Sequence, residues 1–183
     1  MDGLLAGIIG FGVIGMAVAE AFHQHRCNIL YFDPAPRDMH AAAEFNAKSV
    51  SLDELLKAAD VVTLHVPLLP STQGLVGVRE LRLMKSGAIL IQASRGGVVD
   101  EAALAAALNS GHLSGAAVDV YSSEPPADSN PLLVLTGDAA RRVLFTPHIA
   151  GVTRQASAFL FRSAWRNIER VLVANEPPHN RAC

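Results

Sequence analysis

Short, continuous apolar runs alternate along the chain with segments whose apolar residues recur at helical spacing. A run ending in Gly10 reads as a buried strand, and Ala17, Val18, Ala19 and Phe22 beyond it read as a helix. Asn28-Ile29-Leu30-Tyr31-Phe32 reads as a second strand. Pro34-Ala35-Pro36 then forces a turn, and an Ala-rich segment over 38–47 reads as a short helix. Ser51-x-x-Glu54 is a capping box that places a helix over 52–59. Asp60-Val61-Val62-Thr63-Leu64-His65-Val66 is rich in β-branched and apolar residues, as expected of a central parallel strand, and Pro67 and Pro70 end it in a loop. A helix over 78–84 closes at Gly87, and a strand over 88–92 follows. Asp100 caps a helix of alanines and leucines that ends near Gly111. A strand over 115–120, a Pro-rich loop and the strand Val143-Leu144-Phe145 complete the alternation. From 153 to 174, Ala156, Phe159, Leu160, Ala164, Ile168 and Val171 recur at helical spacing. Strands alternating with helices predict an α/β fold, a doubly wound parallel sheet in three αβα layers.

The turn between the first strand and the first helix is Gly10-Phe11-Gly12-Val13-Ile14-Gly15. Each glycine has a mechanical reason. Gly10 makes the tight turn, Gly12 lets backbone approach a pyrophosphate, and Gly15 lets the helix pack closely on the strand. The phosphates would lie over the helix N-terminus, where free N–H groups and the dipole favour negative charge. The second strand ends in Asp33, about twenty residues on, where a carboxylate meets the adenosine ribose hydroxyls. Strand, glycines, helix, strand and acid in this order predict a Rossmann-type dinucleotide-binding sheet.

Composition narrows the picture further. At 183 residues the chain can bury one good core. Hydrophobic residues make up 50%, yet no apolar run reaches the roughly 18 residues that a membrane span needs. The mean hydropathy of +0.28 suggests a well-buried sheet or apolar surface awaiting a partner. A net charge of −2 without Lys/Arg clusters argues against a nucleic-acid ligand. Cys27 and Cys183 make no disulfide framework, so a reducing cytoplasm is the expected compartment. Asp2 and glycines stand where a signal peptide would carry a basic region, so none is expected. No metal site is expected either.

Ligands of such sheets bind beyond the carboxyl ends of the strands. The polar residues fall there: Asp33, His65, Arg95, Asp119, Glu124 and His148 all stand at or just past an expected strand end. Arg95 offers a planar fork suited to a carboxylate and the oxygen beside it. His148 could exchange a proton near neutral pH, and Glu124 could hold its ring and favour the imidazolium. Asp119 could accept a hydrogen bond from a nicotinamide carboxamide. His65 by itself reads as a satisfied loop residue, and Trp165 as a core or interface anchor.

The run Ser94-Arg95-Gly96-Gly97-Val98-Val99-Asp100-Glu101-Ala102-Ala103-Leu104 resembles the signature of the D-isomer-specific 2-hydroxyacid dehydrogenases. So do His65-Val66-Pro67-Leu68, Gly115-Ala116-Ala117-Val118-Asp119-Val120 with Glu124-Pro125, and Thr146-Pro147-His148-Ile149-Ala150-Gly151. The resemblance implies hydride transfer between NAD(H) and C2 of a small 2-oxo or 2-hydroxy acid. It implies Arg95 as substrate anchor, His148 as general acid/base and Glu124 as the histidine's partner. Cofactor contacts are implied at Gly10, Phe11, Gly12, Val13, Ile14, Gly15, Asp33, His65, Val66, Pro67, Thr72, Ala93, Ser94, Arg95, Asp119, His148, Ala150 and Gly151. A homodimer formed through the nucleotide-binding core is implied as well, with neither nucleic acid nor membrane as partner. The chain differs from many family members at Val13, where a basic residue is common. It also begins almost on the first strand, whereas family members carry a substrate-binding segment ahead of it. The expected organisation is a nucleotide-binding domain over 1–151 and a segment over 152–183 resembling the one that returns to the substrate domain. A nucleotide-holding module without turnover, a sensor or corepressor-like relative, is the alternative expectation.

Overall fold

The computed structural model describes residues 2–35 and 39–179. Pro36, Arg37, the start of the 38–47 segment and the tail from Asn180, including Cys183, lie outside the described residues. The chain divides into two compact units, Met1–Thr146 and Pro147–Cys183.

In the first unit, seven strands pair in parallel: β1 (Leu5–Ile9), β2 (Asn28–Phe32), β3 (Ala47–Ser49), β4 (Val61–Leu64), β5 (Ile89–Gln92), β6 (Gly115–Val118) and β7 (Val143–Phe145). Their spatial order is β3-β2-β1-β4-β5-β6-β7. The chain therefore winds outward from β1 in one direction, returns past it, and winds outward in the other. The switch lies between β1 and β4, whose ends pair Ile9 with Leu64. Between the strands lie α1 (Val13–Gln24), α2 (Met39–Glu44), α3 (Leu52–Ala58), α4 (Val78–Leu83), α5 (Glu101–Asn109) and α6 (Gly137–Arg141). This is the expected doubly wound sheet.

The strands look continuously apolar because both faces are covered. In β1, Ile8 enters a cluster with Phe11, Ala19, Ile29 and Tyr31. Its neighbour Ile9 joins the larger cluster, built from Leu55 and Leu56 of α3, Leu81 of α4, and Leu104 and Leu108 of α5. Gly7 follows the same alternation: a Cβ there would stand 2.9 Å from Cβ of Ala59. Phe11 stacks on Tyr31 with ring centroids 4.0 Å apart, closing the first cluster at the strand ends.

Helix starts follow the local chemistry. The Ser51 hydroxyl accepts the Glu54 N–H at 3.3 Å while the Glu54 carboxylate accepts the Ser51 N–H at 2.9 Å, the reciprocal box anticipated for α3. The Asp100 carboxylate accepts the Ala102 and Ala103 N–H groups and starts α5. At its far end, Arg142 donates to the carbonyls of Leu108 and Leu113 at 2.6 and 3.0 Å. Leu108 is in the last turn of α5, whose carbonyls lack partners within the helix, and Leu113 lies in the loop that leaves it.

β3 and α6 are additions to the expected elements. β3 is three residues long, with Lys48 and Ser49 exposed, so it carries no apolar alternation to read. α6 is a single turn around one buried residue, Ala139. A lone bridge pairs Val76 with Val99, drawing the loop before α4 against the loop before α5.

The second unit holds α7 (Arg154–Leu172), capped by the Thr153 hydroxyl, which accepts the Ala156 N–H at 3.0 Å. The tail folds back on this helix. Asn167 pairs both ways with the His179 backbone, and Arg170 bonds Glu176 and the Pro177 carbonyl. Among the described residues, no helix is long and apolar enough to cross a membrane.

Candidate nucleotide-binding site and catalytic segments

Parallel strands bring all their carboxyl ends to one edge of the sheet, and this edge carries the candidate residues. Gly10–Gly15 follow β1, Asp33 follows β2, His65 to Pro67 follow β4, Ala93 to Arg95 follow β5, and Asp119 to Glu124 follow β6. Thr146 follows β7 and ends the first unit; His148, Ala150 and Gly151 belong to the second.

At the switch point three backbones converge. Gly10 sits at φ +93°, and a Cβ there would lie 2.6 Å from the His65 carbonyl oxygen. A Cβ on Gly15 would collide with the Gly10 carbonyl oxygen. Gly12 is different: a Cβ there would meet nothing within 4 Å. The glycines at 10 and 15 thus serve the fold, whereas the one at 12 borders open space at the start of α1. Helix N-terminal N–H groups lacking internal acceptors point into such space. Val13 and Ile14, 82% and 64% exposed, flank it with apolar surface. The Phe11 ring is buried, so this residue faces the site only with its backbone.

Asp33 braces the loop. Its carboxylate accepts the Phe11 N–H at 2.7 Å and the Ala35 N–H at 2.9 Å, tying the end of β2 to the glycine turn. Each carboxylate oxygen has two acceptor positions, so this bracing is compatible with ribose recognition.

His65 lies beside the glycine turn. Its N–H donates to Ile9 O at 2.7 Å and its Nε2 lies 2.9 Å from the Thr63 hydroxyl. Among the described residues, its Nδ1 is a buried side-chain nitrogen without a hydrogen-bond partner. Burial pushes the imidazole below its ordinary value of 6.5 and keeps it neutral. Thr72 is buried, and its hydroxyl donates to Pro67 O at 2.6 Å while accepting the Leu69 N–H at 2.8 Å. It shapes the Val66-Pro67 loop from within.

The Arg95 turn is held by a residue that the sequence analysis passed over. Gln92, 3% exposed at the end of β5, donates from Nε2 to the Arg95 carbonyl at 2.9 Å. Its Oε1 accepts the Ser94 hydroxyl at 2.8 Å. A buried amide ending an apolar strand was the available signal, because such a group must find partners. The Arg95 side chain is exposed, with Nη1 donating to the Ser94 carbonyl at 2.7 Å.

Glu124 is exposed and its Oε1 accepts the Tyr121 N–H at 3.1 Å. Tyr121 is buried, and its hydroxyl lies within hydrogen-bond distance of the Val118 and Thr146 carbonyls. Desolvation, with Asp119, Glu101 and Glu124 nearby, raises its pKa above 10.0 and keeps the phenol protonated. The Thr146 hydroxyl donates to Asp119. Two side chains from the segment after β6 therefore fix the end of β7, two residues ahead of His148. His148 itself has φ +53°, a conformation uncommon for a residue with a side chain and enriched at functional positions.

The residues present suit a bound dinucleotide. The space at Gly12, the α1 N-terminus and the unpartnered Nδ1 of His65 lie on the two sides of the switch, where the fold places such ligands.

Residues 1–150 match the family model described as "D-isomer specific 2-hydroxyacid dehydrogenase, NAD binding domain". The chain is 44% identical over 156 residues to D-3-phosphoglycerate dehydrogenase of Archaeoglobus fulgidus, covering 85% of this chain and 28% of that protein. It superposes on the holo form of Rhodotorula graminis D-mandelate dehydrogenase with a TM-score of 0.90 at 32% identity, covering 99% of this chain and 51% of that one. The D-isomer specific 2-hydroxyacid dehydrogenase of Xanthobacter autotrophicus, solved with NADPH and MES, superposes with a TM-score of 0.83 at 31% identity. That likeness covers 98% of this chain and 71% of that one. The chain spans about half the length, or less, of the curated relatives it matches.

The glycine geometry sets up a paired test. Gly12→Ala should fold with near wild-type stability, because its Cβ meets open space, yet weaken NADH binding about tenfold or more by intruding where backbone approaches phosphate. Gly15→Ala should instead lower stability by about 1–3 kcal/mol, the usual scale of forced overpacking. Urea denaturation and NADH titration of the two variants separate the effects. Equal loss of stability in both would contradict this division of roles.

Proposed function

The chain belongs to the D-isomer specific 2-hydroxyacid dehydrogenases, whose NAD-binding domain it matches over residues 1–150, and from that premise we propose how its residues work. They hold NAD(H) at the switch point and act on a small 2-oxo or 2-hydroxy acid. The observation that carries this reading is the delivery of Gly12, Asp33, Arg95 and Glu124 to one edge of the sheet, with Thr146 fixed there just ahead of His148.

The pyrophosphate rests on the backbone from Gly10 to Gly15 and the N-terminus of α1. Asp33 takes the adenosine ribose hydroxyls. Val66, Pro67 and the turn from Ala93 to Arg95 line the crevice, with His65, Thr72 and Ser94 shaping it from beneath. Asp119 receives the carboxamide, and the family resemblance adds Ala150 and Gly151 as cofactor contacts. When bound, the nicotinamide supplies the hydride for C2 of the oxo acid or takes it back. Arg95 grips the substrate carboxylate with its planar guanidinium, which orients the carbonyl and polarises it. His148 gives the carbonyl oxygen a proton during reduction and removes it during oxidation. Glu124 orients the imidazole for that exchange. The segment over 152–183 returns to a substrate-binding domain, and the aromatic residues Phe159, Phe161 and Trp165 supply apolar surface for assembly as a homodimer. A chain with two cysteines and no disulfide framework suits the reducing cytoplasm.

Calorimetric titration tests cofactor choice. A carboxylate at the end of β2 repels a 2′-phosphate, so NADH should bind about tenfold or more tightly than NADPH. Equal or tighter NADPH binding would overturn the role of Asp33.

Kinetics tests the proposed catalytic roles. With NADH and a panel of 2-oxo acids, His148→Gln should lower kcat by about 100- to 10,000-fold. Arg95→Ala should also raise KM for the oxo acid. Undiminished kcat in His148→Gln would remove His148 from the proton-transfer role.

A further inference from the structure

The loop carrying Glu124 and the turn carrying Arg95 follow different strands, yet they meet at Tyr121. From one side Gly96, next to Arg95, lies against it: a Cβ at Gly96 would collide with the Tyr121 carbonyl and come within 2.7 Å of the Ser122 nitrogen. From the other side Glu124 folds back and accepts the Tyr121 N–H at 3.1 Å. The Ser122 N–H goes to a third group, the carboxylate of Glu101, with Oε1 at 2.7 Å. Oε2 of the same carboxylate accepts from Asn130 Nδ2 at 2.8 Å. Asn130 in turn caps its own stretch, its Oδ1 accepting the Leu132 N–H at 2.9 Å.

Glu101 is well placed for this. It stands in the first turn of α5, directly after the cap Asp100, on the same stretch of chain as Arg95. Each of its two oxygens holds a different end of the segment from Ser122 to Asn130, which brackets Glu124. Charge-assisted hydrogen bonds of this length are among the stronger ones a protein makes. Helix capping needs only Asp100, so the second carboxylate is left to serve the loop.

We propose that Glu101 is a positioning residue: by clasping Ser122 and Asn130 it sets the Glu124 loop against the Arg95 turn, so that substrate anchor and histidine partner keep one fixed spacing. This rests on the roles proposed above for Arg95 and Glu124. The interaction itself is independent of them, and the test separates the two.

The experiment exploits the amide-to-carboxylate geometry. Glu101→Gln leaves one acceptor and turns the other oxygen into a donor facing the Asn130 amide. Asn130→Asp sets two carboxylates against each other. The double variant, Glu101→Gln with Asn130→Asp, restores a donor–acceptor pair with the polarity reversed, and the carboxylate introduced at position 130 can still accept the Leu132 N–H. Amide hydrogen exchange on the 183-residue chain should show Tyr121 and Ser122 exchanging about tenfold faster in each single variant, with most of the protection regained in the double. NADH affinity should stay within about twofold throughout, since the glycine turn is untouched. In kinetics with NADH and a 2-oxo acid, the single variants should lose kcat, leave KM for NADH unchanged, and recover kcat in the double. Gly96→Ala, which wedges the same junction apart, should reproduce the faster exchange at Tyr121 and Ser122. Unchanged exchange at these amides in Glu101→Gln, or no recovery in the double variant, would overturn the proposal. Changed and rescued exchange with undisturbed kcat would overturn the positioning role and leave Glu101 a purely structural clasp. Failure of every form to bind NADH would instead sink the functional reading beneath it.

Discussion

Gly10 is the point on which the sheet edge depends. At φ +93° its backbone passes so close to the His65 carbonyl that no side chain fits between β1 and β4. Gly15 presses α1 onto the same residue from above. This double contact brings the helix N-terminus down to the strand ends, where its unsatisfied N–H groups face the crevice. Asp33 then locks the turn from the β2 side through the Phe11 N–H. A shelf of backbone at the strand ends follows from these contacts. Buried packing of Phe11 on Tyr31 keeps the shelf from relaxing, because moving the turn would open the smaller core cluster.

The segments proposed to carry catalysis obey a different constraint. They are loops, and loops hold position only where their polar groups are tied down. Here the ties are buried or charged. Gln92 fixes the Arg95 turn from below, Glu101 and Gly96 fix the Tyr121–Ser122 peptide, and Tyr121 and Asp119 fix Thr146. The segments after β5 and β6 and the end of β7 are thereby linked at their bases.

Much of this was legible in the residues. The bounds of β2 and β7 fall where the apolar runs begin and end, and the capping box of α3 forms as Ser51 and Glu54 imply. The doubly wound sheet follows from strand and helix alternation, its Rossmann type from the glycine turn and Asp33, and the family from four motifs in order. β3 and α6 escaped notice because neither buries a periodic face. The ties escaped for a deeper reason. Gln92 bonds its near neighbours Ser94 and Arg95 and is marked only by its amide at the end of an apolar strand, whereas Glu101 works through Ser122 and Asn130, 21 and 29 residues on, and spacing in sequence carries no trace of such a pairing. Thr72 and Ser94 show the same limit: the resemblance marks them as cofactor contacts, while their hydroxyls bond within the chain to Pro67 and Gln92.

The central claim is that the crevice over the β1–β4 switch is where the chain holds NAD(H). Backbone NMR of the labelled 183-residue chain titrated with NADH tests it directly. The account predicts saturable shifts at Gly12, Val13 and Ile14, at the Val66 amide and at the turn from Ala93 to Arg95, with the amides of α3 and α4 unmoved. Saturable shifts that spare the glycine turn, or no shifts at saturating NADH, would contradict it.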